Sequence, residues 1–211
     1  MTKILVTGGS GFLGKAIVAE LADPHSPLEA DLIRVLDIND YTGAEKDRIE
    51  FYKGDIRDIS KADEACTGID IVIHAAAIVD WGTKSEDEIL SVNVEGTRNI
   101  IRACRTANVK YLVFTSSLDA IFGGKPLVNI DETIPYPEKH PTSYCTSKYL
   151  AEKLVLEEND DMLRTCIIRP SDIYGEDDPY HIGNEIGIPK NRFLSSIAAA
   201  SSTCAKATFL T

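Results

Sequence analysis

The chain has 211 residues, 44% of them apolar and 26% charged, proportions that exclude wholesale disorder. At about 150 residues per domain it holds one core, or one core with an appendage. Twenty-two basic against thirty-three acidic residues leave a net charge of −11, which repels phosphate backbones and anionic lipid, so neither nucleic acid nor a membrane surface is the expected partner.

Lys3–Thr7 reads as a strand that starts too early for a secretory leader, and Leu13–Leu21 as the first amphipathic helix. Strands then follow at Leu32–Asp37 and Glu50–Gly54, a helix at Asp58–Cys66, and a strand at Ile69–Ala75. The remaining elements are a helix over Glu86–Thr106, a strand at Tyr111–Ser116, a helix over Ser143–Glu157 and a strand at Arg164–Arg169. Ile4-Leu5-Val6, Ile71-Val72-Ile73 and Leu112-Val113-Phe114 are unbroken apolar runs, the pattern of strands covered on both faces. Alternation of strand and helix gives the same answer: an α/β fold with a doubly wound parallel sheet. The longest apolar stretch, Ile69 to Val79, is interrupted by Asp70 and His74 and falls short of the ~20 residues a membrane span needs. Twelve of the last seventeen residues are Ser, Ala or Thr, which predicts a poorly ordered or loosely docked helical tail. Five cysteines, Cys66, Cys104, Cys145, Cys166 and Cys204, lack paired spacing and read as reduced thiols, so the expected compartment is the cytoplasm. His74 has no partner at metal-ligand spacing, and no metal is assigned.

The first strand runs directly into Thr7-Gly8-Gly9-Ser10-Gly11-Phe12-Leu13-Gly14, which opens the first helix. A tight strand-to-helix turn needs a residue tolerant of positive φ, a backbone that a diphosphate can approach, and close helix–strand packing. The N–H groups and positive dipole of the helix start then face the diphosphate. Asp37 ends the second strand 23 residues past Gly14, near the ~20-residue offset at which an acid holds the ribose hydroxyls of a dinucleotide. A carboxylate there repels a 2′-phosphate and Ile38 brings no cation, so NAD is expected over NADP. Asp55 is a candidate acceptor for the adenine amino group with Ile56 against the ring, an ordinary turn acid being the bland alternative. Ala75, Ala76 and Ala77 are small where the backbone passes a flat cofactor, or where helices crowd a sheet.

Tyr144 and Lys148 lie four apart on a predicted helix and share a face. A phenol transfers protons near neutral pH only if its anion is stabilised, and a cation at that spacing does so. The spacing alone is not specific, because Tyr149 and Lys153 repeat it. Pro141-Thr142-Ser143 reads as a helix start that sets Tyr144 in the first turn, and Cys145, Thr146 and Ser147 leave room beside it, which favours the first pair. Ser117, after the fifth strand, is a candidate to hold a substrate oxygen, although serines there are usually turn formers. Trp81 and Phe122 are candidates for an apolar pocket or for ordinary packing.

TGGSGFLG, Asp37, His74-Ala75-Ala76-Ala77, Asn93-Val94-Glu95-Gly96-Thr97-Arg98-Asn99, Thr115-Ser116-Ser117, Tyr144-x-x-x-Lys148 and Arg169-Pro170 together resemble the extended short-chain dehydrogenase/reductases. Within these, the chain is most similar to the 3β-hydroxysteroid dehydrogenase/isomerase-type branch, which includes sterol-4α-carboxylate 3-dehydrogenases. The resemblance covers roughly residues 2–182. It implies a Rossmann domain over 1–182 with NAD on the glycine turn, and a separate tail over 183–211. Tyr144 is then the general acid/base, Lys148 the ribose-binding cation and Ser117 the substrate-orienting hydroxyl. Asn93 has a structural and proton-relay part, and Pro170 approaches the nicotinamide. The implied reaction is oxidation of a secondary ring alcohol to a ketone with NAD, on a small-molecule alcohol/ketone substrate.

Members of that family continue into a C-terminal region that supplies most of the substrate pocket, where this sequence has its small-residue tail. The expectation is an intact nucleotide half and an apolar pocket short of cover, hence weak stability or association with another chain, a homodimer included. Two other readings stay open. One is a sugar-nucleotide epimerase or dehydratase, or a ketone reductase, of the same superfamily; the other is an NAD-binding protein without catalysis.

Overall fold

A computed structural model describes residues 2–43, 48–80, 82–175 and 178, and the backbone of 208–210. The strands are β1 (Lys3–Thr7), β2 (Leu32–Asp37), β3 (Ile49–Lys53), β4 (Ile71–His74), β5 (Tyr111–Thr115), β6 (Arg164–Arg169) and β7 (Thr208–Leu210). They form one sheet in the order β3-β2-β1-β4-β5-β6-β7, parallel as far as β6, with β7 antiparallel on its edge. The chain winds outward from β1 in one direction and then from β4 in the other. The carboxyl ends of β1 and β4, with Thr7 opposite His74, therefore flank the crevice where doubly wound sheets bind ligands.

Among the described residues the α-helices are α1 (Phe12–Ala22), α2 (Ile59–Cys66), α3 (Glu86–Leu90), α4 (Thr97–Ala107) and α5 (Ser143–Glu157). Asp58, Ser85 and Thr142 cap α2, α3 and α5 by accepting from Ser60, Glu88 and Cys145 N–H. Asn108, in the left-handed region at φ 57°, closes α4. The unbroken apolar runs divide between two cores. Ile4, Val6, Ile33 and Val35 pack under Val18 and Leu21 of α1. On the other side Leu5, Leu36, Val72, Leu112 and Ile167 join residues of α2, α4 and α5, with Cys66 and Cys104 fully buried among them. The four described cysteines are free thiols, and Cys204 lies outside the described residues. Among the described residues no helix is long and apolar enough to cross a membrane.

Two expectations are corrected. The single helix over Glu86–Thr106 is interrupted by a π-helical turn at Ser91–Gly96. Threefold and fourfold apolar spacing cannot register one inserted residue, which shifts the phase of everything before it. In the expected helical tail, 208–210 is a strand, because the open edge of β6 offers backbone groups that an extended segment satisfies. The rest of the tail, like Trp81, lies outside the described residues.

Candidate active site

A cleft of about 570 Å³ opens at the carboxyl ends of the strands, running from the glycine turn to the start of α5. Gly8, Gly11, Phe12, Leu13, Gly14, Asp37, Asp55, Ile56, Ala75, Ala76, Ala77, Ser117, Tyr144, Lys148 and Pro170 all line it. Gly9, Ser10 and Asn93 do not line it.

The β1 end is shaped by backbone. Gly8 sits at φ +71°, and a Cβ there would come within 2.7 Å of the Ala76 backbone, so the turn lies directly on the residues after β4. A Cβ on Gly14 would be 2.0 Å from the Gly8 carbonyl oxygen, which only a hydrogen permits. Gly11 is the N-cap of α1 and has no side chain to satisfy the first helical N–H groups, leaving them for an anion. Gly9 instead abuts Val35, which keeps the turn against β2. Asp37 is 8% exposed, and its Oδ2 accepts from Ser10 N at 3.0 Å while Oδ1 accepts from Asn39 N at 2.8 Å. The residue expected to read ribose thus also ties the glycine turn to β2. Beside it, Arg57 donates to both carboxylate oxygens of Asp55 and holds that carboxyl below its ordinary range. Ile56 is 5% exposed and underlies Gly96, so it is cleft floor and core at once.

The α5 end is shaped by buried polar groups. Tyr144 and Lys148 are 7% and 4% exposed. Lys148 Nζ donates to the Thr115 carbonyl at 3.0 Å and lies 5.3 Å from the Phe114 ring centroid and 5.9 Å from that of Tyr144. Burial pulls its pKa down to about 8, against the opposing pull of the Glu152 and Asp119 carboxylates. Glu152, one turn beyond Lys148 and fully buried, accepts from Arg169 Nε at 2.9 Å and Nη2 at 2.7 Å, and from the Tyr136 hydroxyl at 2.6 Å. Tyr149 packs between Tyr136 and His140, with ring centroids 4.8 and 4.9 Å away, and does not line the cleft. Of the two Tyr–Lys pairs, only the first opens into it.

Asn93 is a brace. Its Oδ1 accepts from Ile78 N at 2.7 Å, and its Nδ2 donates to the Ile78 carbonyl and to Ser147 Oγ, so the π-helical turn ties the segment after β4 to α5. His74, fully buried, extends the tie. Thr97 Oγ1 donates to the Asn93 carbonyl, so it must accept from His74 Nε2–H. His74 Nδ1 then accepts from the Thr7 hydroxyl at 2.6 Å. Burial, with Lys148 nearby, pulls the imidazole pKa down to about 3 and keeps this arrangement neutral.

Ser117 caps a short 3₁₀ turn at Leu118–Ile121 and bonds Asp119, a cleft residue that sequence reasoning passed over. A Ser-x-Asp spacing was the available signal, and it reads equally as a plain turn. Lys84, Glu88, Val79 and Val92 also line the cleft and were likewise unread, while Phe122 does not reach it. Burial raises the Cys145 thiol, so it is no thiolate nucleophile.

The model of the 3-beta hydroxysteroid dehydrogenase/isomerase family matches residues 5–208. A 3 beta-hydroxysteroid dehydrogenase/Delta 5-->4-isomerase of Monkeypox virus is 36% identical over 188 residues, 84% of this chain and 54% of that protein. A decarboxylating sterol-4-alpha-carboxylate 3-dehydrogenase of Candida albicans is 36% identical over 189 residues, 84% of this chain and 52% of that protein. Among solved structures, a short-chain dehydrogenase/reductase superfamily protein from Agrobacterium tumefaciens with bound NAD superposes with a TM-score of 0.67 at 29% identity, covering 79% of this chain and 48% of that one. A dTDP-glucose 4,6-dehydratase from Streptomyces venezuelae with NAD superposes at 0.64 and 27% identity, covering 73% and 50%. The chain spans about half the length of these relatives.

Proposed function

Because this chain belongs to the 3-beta hydroxysteroid dehydrogenase/isomerase family, we propose that it binds NAD in the cleft and oxidises a secondary ring alcohol of the hydroxysteroid type to the ketone. The residues fit the cofactor on their own terms. Gly8 and Gly14 leave a cradle that any Cβ would fill, the start of α1 keeps uncapped N–H groups, and Ser116 Oγ is a buried, unpartnered hydroxyl on the cleft wall. The α1 N-terminus would hold the diphosphate, Asp37 the adenosine ribose, Asp55 and Ile56 the adenine edge and face, and Ala75–Ala77 with Pro170 the approach to the nicotinamide. When bound, NAD supplies the acceptor for the hydride that leaves the alcohol carbon.

The rest of the chemistry falls to this chain. Tyr144 takes the alcohol proton on its phenolic oxygen, and the Lys148 ammonium stabilises the phenolate that accepts it. Ser117 seats the substrate oxygen, and Asn93 fixes the segment after β4 against α5 without itself touching substrate. One observation carries the reading: Tyr144, Lys148 and Ser117 open into the same cleft as the glycine turn. The family match favours ring alcohols over sugar nucleotides. Nucleotide binding falls to the part of the chain up to residue 182, and 208–210 adds an edge strand to the same sheet.

The test is formation of reduced nicotinamide from NAD and a 3β-hydroxysteroid or simpler alicyclic alcohols, beside NAD affinity for the same protein. Turnover that disappears in Tyr144→Phe while NAD affinity stays supports the proposal. Since the chain spans half its relatives' length, NAD affinity with no turnover on any alcohol would assign it instead as a nucleotide-binding half without catalysis.

A further inference from the structure

A serine hydroxyl has one hydrogen to give and two lone pairs with which to accept. At Ser117 most of this capacity is already taken. Oγ accepts from Asp119 N–H at 3.1 Å, the ordinary bond of a serine that caps a turn. It also donates its hydrogen to Asp119 Oδ2 at 3.0 Å. The cap does not require this second bond, since capping uses Oγ only as an acceptor. A carboxylate has only acceptors to offer, so between these two groups the hydrogen belongs to Ser117 and points at Asp119. What remains for the cleft is one lone pair.

We infer that Asp119 is a positioning residue that turns Ser117 into a hydrogen-bond acceptor and so makes the site favour a bound alcohol over a bound ketone. The inference rests on the proposed reading of Ser117 as the seat of the substrate oxygen. An alcohol O–H can donate into the free lone pair. A ketone oxygen has no hydrogen and meets Ser117 lone pair to lone pair, unless the serine hydrogen is drawn off Asp119. For oxidation the alcohol hydrogen must swing from Ser117 to the Tyr144 oxygen, where it leaves as a proton while the carbon-bound hydrogen departs as hydride and the C–O bond becomes C=O. The contact to Ser117 is lost with that hydrogen, so the ketone is held less firmly than the alcohol it came from. Among the described residues the carboxylate meets Ser117 and Cys145, whose Sγ lies 3.8 Å from Asp119 Oδ1, and helps to stabilise the Lys148 ammonium.

The test uses complexes that cannot turn over, so proton and hydride stay in place. Cyclohexanol is titrated into the chain saturated with NADH, and cyclohexanone into the chain saturated with NAD, by calorimetry or ligand-observed NMR. Each probe is compared only with itself across variants. In Asp119→Ala and in Asp119→Leu no acceptor holds the serine hydrogen. Cyclohexanone should then bind about three- to ten-fold more tightly, the range of one hydrogen bond, while cyclohexanol, which finds the same free lone pair with or without the carboxylate, should change by less than about two-fold. In a Ser117→Ala background the same substitutions should move neither probe. A gain for cyclohexanone without a matching gain for cyclohexanol, lost in the Ser117→Ala background, supports the inference, since a merely damaged fold would weaken both probes together. If cyclohexanone does not tighten, if cyclohexanol tightens as much, or if the shift persists in Ser117→Ala, the inference falls while the reading of the site stands. Binding of neither probe to the wild-type chain overturns that reading, and the inference with it.

Discussion

At its β1 end the cleft is walled by backbone, and at its α5 end by buried charge. The glycine turn holds its form because there is no room for anything larger: a Cβ on Gly14 would sit 2.0 Å from a carbonyl oxygen. The α5 end holds its form because Lys148, Glu152 and Arg169 are out of water and must find one another or a carbonyl. Steric fit is indifferent to pH and salt. Buried charge is sensitive to both protonation and the loss of one partner, and that sensitivity is what proton transfer uses.

The contrast can be broken most forcefully at Glu152. Glu152→Ala leaves the Arg169 guanidinium buried without its partner and should lower unfolding free energy by about 3–5 kcal/mol, read by denaturant titration. A loss below about 1 kcal/mol would show that the α5 end does not depend on the pair. Next, Gly14→Ala sets a methyl against backbone that cannot yield, and should cost about 1–3 kcal/mol. NAD affinity should fall with it, with the same loss at pH 6 and pH 9; a pH-dependent loss would blur the distinction between the ends.

Lys148 sharpens it. Its folded pKa of about 8 lies below its ordinary 10.5. Between those values the unfolded chain binds more protons than the folded one, so the contribution of Lys148 to stability rises with pH across that window. The ammonium that the chemistry needs is lost over the same window. Above pH 8 oxidation should therefore decline while thermal stability from this residue increases, and Lys148→Met should flatten both trends. Smallest is Asp37→Asn. It keeps acceptor capacity toward Ser10 N and removes the charge, so NAD affinity should drop by about 1 kcal/mol or less while discrimination against NADP weakens, measured by titrating both nucleotides.

Legibility in the sequence follows the same division. The glycine turn, Asp37 and the strand–helix alternation are local: each is a spacing within one strand–turn–helix unit, and the backbone limits that select those residues act over a few positions. The Tyr144–Lys148 spacing was legible too, but choosing it over Tyr149–Lys153 leaned on the helix start, and the packing of Tyr149 against Tyr136 and His140 accords with that choice. The Glu152–Arg169 pair, the brace from Asn93 to Ile78 and Ser147, and the hydroxyl of Ser117 turned onto Asp119 carry no comparable signature. Asn93 and Ser147 are 54 positions apart, and nothing in either neighbourhood names the other.

By sequence alone the chain was committed to a doubly wound parallel sheet with a dinucleotide turn at its start, because apolar periodicity and glycine spacing express constraints between near neighbours. The tertiary structure decided the π-helical turn within Ser91–Gly96, the strand at 208–210 and the hydrogen-bond polarity at the α5 end of the cleft. Those depend on which buried donors and acceptors meet once the helices close over the sheet, and such pairing is settled by three-dimensional packing rather than by spacing along the chain.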